Sequence, residues 1–162
     1  MSLSAEPYKY EELRKAVDRL AGEVGTPDQL MDRMVQVLHE KMLRYNWLGF
    51  YMLESGADPP MLVLGRFRGA MTPHARIPLD QGICGAAAAS GKTVVVDDVA
   101  RDSRYLACSL ETKSEIVVPV FVRGMVVGEL DIDSHFPAAF GFEDRELIEH
   151  CAQLVGRYME IA

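Results

Sequence analysis

Glu115-Ile116-Val117-Val118-Pro119-Val120-Phe121-Val122-Arg123-Gly124-Met125-Val126-Val127-Gly128-Glu129-Leu130-Asp131-Ile132-Asp133 reads as two β-strands, residues 116–122 and 125–133, joined by the two-residue turn Arg123-Gly124. Successive strand residues point to opposite faces. Val126, Gly128, Leu130 and Ile132 therefore share one face, and Val127, Glu129, Asp131 and Asp133 share the other. A face ending in three carboxylates is ordinarily a solvated one. Glu115, at the start of the partner strand, adds a fourth carboxylate to the same end of the sheet if it faces the same way. A strict two-residue turn pairs Val122 with Met125 and leaves Glu115 opposite Ile132, on the wrong face. The pairing is thus expected to shift by one residue, with Pro119, which cannot donate to the ladder, as the bulge site. Clustered carboxylates repel, so either a cation sits among them or one keeps its proton near neutral pH; both suit a site for an ammonium group.

Upstream, Leu13, Ala16, Val17, Leu20 and Val24 recur at helical spacing, and Gly25 is expected to close that helix in the left-handed conformation. Thr26-Pro27-Asp28-Gln29 supplies an N-cap hydroxyl, a proline at the first helical position and a capping-box amide. Leu30, Met31, Met34, Val37, Leu38 and Met42 form the apolar stripe of a second helix. Short β-type runs follow at residues 47–53 and 61–67, separated by the Gly- and Pro-containing segment 54–60. Residues 76–79 and 93–96 read as further short strands, 82–90 as a small-residue helix or turn, and 97–113 as a long polar loop with one helical turn. Residues 142–159 close the chain as a helix with Leu147, Ile148, Cys151, Leu154, Val155 and Tyr158 on one face. Two helices, then mostly strands, then a helix argue for an α+β fold: an antiparallel sheet with helices packed on it. One domain over residues 1–162 is expected, with residues 1–9 as a disordered tail.

Composition narrows the function. The 162 residues are 49% hydrophobic, enough for a core without a metal or disulfide staple. Seventeen Lys and Arg against 24 Asp and Glu give a net charge of -7, which repels a phosphate backbone and excludes nucleic acid as a partner. Residues 1–10 carry no secretory pattern, and the longest apolar run, 116–122, is far short of a membrane span. A cytoplasmic protein with no membrane partner is expected. Three cysteines, Cys84, Cys108 and Cys151, are an odd number without close spacing and read as separate thiols.

Cys108, in Leu106-Ala107-Cys108-Ser109, lies in the long polar loop away from any apolar stripe and is the first candidate for a reactive thiol. Cys84, in Gly82-Ile83-Cys84-Gly85, falls where a helix begins, and a helix N-terminus favours a thiolate; a small residue tolerated in a tight turn explains it equally well. Cys151 is a core residue. Trp47 and Tyr51 share a strand face and can wall an apolar pocket, although such a pair is more often plain core. His74 follows Pro73 in a loop, where a surface residue, a hydrogen-bonding support and a base are all open readings. No set of His and Cys has metal-ligand spacing, and 82–85 is not a phosphate loop, so neither metal nor other cofactor is expected.

Asn46-Trp47-Leu48-Gly49-Phe50-Tyr51, Arg76-Ile77-Pro78, Gly82-Ile83-Cys84-Gly85, Ala107-Cys108, Ser114-Glu115-Ile116-Val117-Val118-Pro119 and Leu130-Asp131-Ile132-Asp133-Ser134 together resemble the free methionine-(R)-sulfoxide reductases, which are stand-alone GAF domains. The resemblance runs over nearly the whole chain in order. It implies a six-stranded antiparallel sheet with helices on one side, and often a homodimer. It places Cys108 on the attacking thiol, which is left as a sulfenic acid as methionine is released. Glu115, Asp131 and Asp133 match carboxylates that hold the substrate or donate the proton, with Glu115 among the catalytic groups, and Trp47 and Tyr51 match the aromatic wall around the substrate methyl. The family recycles its cysteine through a disulfide reduced by thioredoxin.

The chain departs from the pattern at one informative place. In the family pattern a cysteine that commonly acts as the resolving thiol precedes Arg-Ile-Pro with one residue between, and here that position is His74. The loop after Cys108 also differs, reading Ser109-Leu110-Glu111-Thr112-Lys113. Recycling is what these changes affect, with Cys84 or an external thiol as the resolving group. Two other readings remain: a non-catalytic GAF module that senses a small ligand, and a peroxide-sensing thiol protein without methionine specificity.

Overall fold

A computed structural model describes residues 5–56, 58–106 and 110–161. Helices α1 (Ala5–Glu23) and α2 (Pro27–Lys41) precede strands β1 (Trp47–Glu54), β2 (Met61–Arg68) and β3 (Arg76–Pro78). Helix α3 (Gly82–Ser90), β4 (Val94–Val96), a 3-10 turn at Val99–Arg101, β5 (Ser114–Val122), β6 (Met125–Ser134) and α4 (Phe142–Ile161) complete the chain. The six strands form one antiparallel sheet in the order β3-β2-β1-β6-β5-β4, which puts the carboxylate-bearing β6 in the middle. No described helix is long and apolar enough to cross a membrane.

The expected disordered tail over residues 1–9 is corrected from residue 5 onward, because α1 begins at Ala5. Gly25 is not left-handed either. Helix α1 ends at Glu23, and the Tyr158 hydroxyl donates to Val24 O at 3.0 Å instead. The α2 cap forms as the residue types dictate, with Gln29 N donating to Thr26 Oγ1 at 3.1 Å. Gln29 Oε1 accepts from Gly25 N at 2.8 Å, one residue earlier than a capping box requires.

The register between β5 and β6 does shift by one residue, and Glu115 pairs with Asp133. The bulge lies elsewhere than expected. Val120 pairs with Gly128 and Phe121 with Val126, so Val127 is the extra residue and the irregularity belongs to β6. Pro119 stays in register opposite Glu129. It is tolerated because β4 covers β5 only as far as Val94 opposite Val117, which leaves Pro119 at an uncovered edge. The bulge also reverses side-chain parity. Val126 packs with the cluster on the carboxylate side and Val127 with the opposite core, the reverse of a regular alternation. Gly128 beside the bulge has no space for a side chain: a Cβ there would sit 2.5 Å from Tyr51 O.

Both faces of the sheet are covered. Leu48, Phe50, Ile116, Val118, Leu130 and Ile132 pack against α1, α2 and α4. On the other face Tyr51, Leu62, Ile77 and Val117 pack against Ile83, Cys84, Ala87 and Ala88 of α3. The expectation of helices on one side therefore holds for three of the four. Helix α3 lies on the far side, and it takes the carboxylate face out of water.

Candidate active site

Strand pairing sorts the site into rungs. Directly opposed residues of an antiparallel pair share a face. Trp47, Asp133 and Glu115 form one rung, Gly49, Asp131 and Val117 the next, and Tyr51, Glu129 and Pro119 the third. Gly49 keeps the middle rung bare. A Cβ there would meet Trp47 Cη2 at 2.8 Å and Phe67 Cβ at 2.9 Å, so the glycine lets the indole fold over the strand. Trp47 stacks on Phe67 with ring centroids 6.0 Å apart, tilts against Tyr51 at 6.2 Å, and donates from Nε1 to Ala70 O at 3.1 Å. The Tyr51 hydroxyl donates to His74 O at 2.7 Å. The two aromatics thus anchor the segment between β2 and β3 against the site.

Four carboxyl groups lie within this buried face: Glu115 is 4% exposed, Glu129 0%, Asp131 2% and Asp133 2%. Burial, the largest cause in every case, pushes all four well above the usual carboxylate range. Mutual charge acts second on Glu115, Asp131 and Asp133. Among the described residues no Lys or Arg makes an ion pair with any of them. With all four ionised, no donor reaches Asp131 Oδ1 or Asp133 Oδ1, and hydrogen bonds among Glu115, Asp131 and Asp133 require a proton shared between them. A wholly ionised set is therefore untenable, and the face carries protons or takes a cation.

Cys84 is the third residue of α3, and its Sγ donates to Asp131 Oδ2 at 3.4 Å. Of the two open readings of Cys84, the thiolate favoured by the helix N-terminus is the one its surroundings oppose. Burial and then the negative charges of Asp131, Glu129 and Glu115 push this thiol well up. A thiol facing carboxylates keeps its proton whatever the helix end contributes. Cys151 lies in the core, its pKa pushed up to about 12 chiefly by burial, in line with an inert role.

These residues surround a small cavity of about 20 Å³ lined by Tyr51, His74, Ile77, Gly82, Ile83, Cys84, Leu106, Glu115 and Asp131. That is room for about one water.

A family model described as GAF domain matches residues 26–159. The chain belongs to the GAF domain family. This GAF domain is 38% identical over 110 residues to the free methionine-R-sulfoxide reductase of Escherichia coli (strain K12), which is 68% of this chain and 64% of that enzyme. The chain thus matches slightly less than two thirds of that relative's length. Among solved structures, that of the Neisseria meningitidis free methionine-R-sulfoxide reductase in complex with its substrate superposes with a TM-score of 0.87 at 34% identity, covering 93% of this chain and 88% of that one. A putative GAF sensor protein from Burkholderia vietnamiensis superposes with a TM-score of 0.85 at 31% identity, covering 97% and 96%.

Of the residues singled out in the sequence, the GAF fold brings Tyr51, His74, Cys84, Glu115 and Asp131 to one cavity and puts Trp47 and Asp133 on the rung of Glu115. Cys108 lies outside the described residues. Leu106, two residues before it in the chain, lines the cavity. Sequence reasoning missed Ile77, Ile83 and Leu106, which carry no chemical signal, and it gave Glu129 no particular role.

Proposed function

We propose that this GAF domain reduces free L-methionine-(R)-sulfoxide to methionine. The observation that carries the reading is the set of buried carboxyl groups without a cationic partner, walled by Trp47 and Tyr51. A free amino acid brings the ammonium group such a face lacks, and its S-methyl group suits the aromatic wall. Substrate-complexed relatives of the same fold support the assignment.

In this mechanism the Cys108 thiolate attacks the sulfoxide sulfur. The S–O bond breaks, and Glu115, held protonated by burial, supplies a proton to the departing oxygen. The oxygen leaves as water with a second proton from solvent. A water then attacks the Cys108 sulfur and breaks the newly formed S–S bond, so methionine leaves and Cys108 is left as the sulfenic acid. The net change is thiol and sulfoxide to sulfenic acid and thioether. Asp131 and Asp133 hold the ammonium. Two equivalents of an external thiol, or one dithiol of the thioredoxin class, then return Cys108 to the thiol with release of water. External resolution fits better than attack by Cys84, whose sulfur is buried and faces Asp131. His74 borders the same cavity and closes it where the family pattern has a cysteine. Because the cavity is about 20 Å³, its walls must part to admit an amino acid.

Calorimetric titration of free methionine-(R)-sulfoxide into the Asp131→Asn variant tests the carboxylate role. Losing one charge-assisted contact to the ammonium weakens binding about 10-fold or more. Affinity equal to that of the unsubstituted protein contradicts the placement. Saturable binding of the sulfoxide with no methionine released in the presence of a dithiol would favour the sensor reading, which the Burkholderia relative keeps in view.

A further inference from the structure

Ligand atoms of Cys84, Glu115 and Asp131 all lie within 4.8 Å of one another, and all three residues are buried. Tetrahedral zinc, with Zn–S near 2.3 Å and Zn–O near 2.1 Å, holds its ligand atoms roughly 3.3–3.7 Å apart. The Cys84 Sγ to Asp131 Oδ2 separation is 3.4 Å. The cavity these residues line is about 20 Å³, room for one water and so for one ion in its place. A second observation also points to a cation. Asp131 Oδ1, on a side chain 2% exposed that lines the cavity, has no hydrogen-bond partner. A buried acceptor in that condition is costly, and a metal ion answers it.

We propose that Cys84, Glu115 and Asp131 form a binding site for one zinc-class divalent cation. One thiolate with two carboxylate oxygens suits a borderline-soft ion. Magnesium and calcium call for six or more oxygen ligands, which this trio does not offer. Binding displaces the thiol proton and any carboxyl protons to solvent. The ion fills the cavity and uses carboxylates assigned to the sulfoxide. Zinc and free methionine sulfoxide therefore exclude one another, a consequence that rests on the reductase reading.

The test uses zinc alone and no sulfoxide, so it stands apart from the reductase assay. Chelator-stripped protein is titrated with zinc chloride by calorimetry. The expected result is one saturable equivalent. Affinity falls about 100-fold or more in Cys84→Ala and in the near-isosteric Glu115→Gln. Cobalt added to the unsubstituted protein gives a thiolate-to-metal charge-transfer absorption that Cys84→Ala removes, a readout independent of calorimetry. Failure of the unsubstituted protein to bind zinc saturably overturns the proposal. So does zinc binding of undiminished affinity in Cys84→Ala.

Discussion

Cys108→Ser abolishes release of methionine from free methionine-(R)-sulfoxide, by about 10³-fold or more, while leaving affinity for the sulfoxide within about twofold. A serine hydroxyl stays protonated at neutral pH and is a poor nucleophile toward sulfoxide sulfur, and it cannot form the sulfenic acid. Binding is retained because the ammonium and methyl contacts come from the sheet, through Asp131, Asp133, Trp47 and Tyr51, rather than from the thiol. The measurement is single-turnover methionine release with dithiothreitol in excess, paired with calorimetric binding. A serine variant that turns over at the unsubstituted rate assigns the chemistry to another group.

Glu129→Gln stabilises the fold at pH 7 by on the order of 1–3 kcal/mol and changes it little at pH 4. In the unfolded chain Glu129 ionises near the ordinary value of about 4.3. In the fold, burial first of all raises it well above that. Between those two values the folded state binds a proton that the unfolded state has lost, so stability falls as pH rises. Each pH unit across the interval is worth about 1.4 kcal/mol for a fully protonated group. Below about pH 4 both states are protonated and the penalty vanishes. Glutamine keeps the shape, removes the titration and adds an amide donor beside acceptors that lack partners. Urea midpoints at the two pH values check this. A stability difference that does not grow with pH, or a loss at pH 7, contradicts the view that Glu129 is a neutral acid held against its own chemistry.

The fold was legible wherever a local rule governs. Helical spacing in 30–42, the Thr26-Pro27 cap and the Arg123-Gly124 turn appear where the residue types demand, because each depends on neighbours within one turn of chain. The register shift was legible too, since the acidic faces of β5 and β6 can meet in no other way. Its position was not. Val127 bulges because Gly128 closes on the β1 backbone, a contact 76 or more residues away in sequence, and nothing local marks it. The carboxylate face was recognised, but its burial was not. Helix α3 covers it with Ile83, Cys84, Ala87 and Ala88, and a stretch of glycine and alanine reads as a turn as readily as a buried helix. The same blindness left Cys84 open between two readings: the helix end is visible in sequence, whereas the three carboxyls facing the sulfur belong to distant strands.

One assay reaches the centre of the account. Purified R and S epimers of methionine sulfoxide, each as the free amino acid and within a peptide, are offered to the protein with a thioredoxin reducing system, and free or peptide-bound methionine is quantified. The account predicts product from the free R epimer alone. Equal turnover of the peptide-bound sulfoxide, or no product from the free R epimer with either thioredoxin or dithiothreitol, would contradict it.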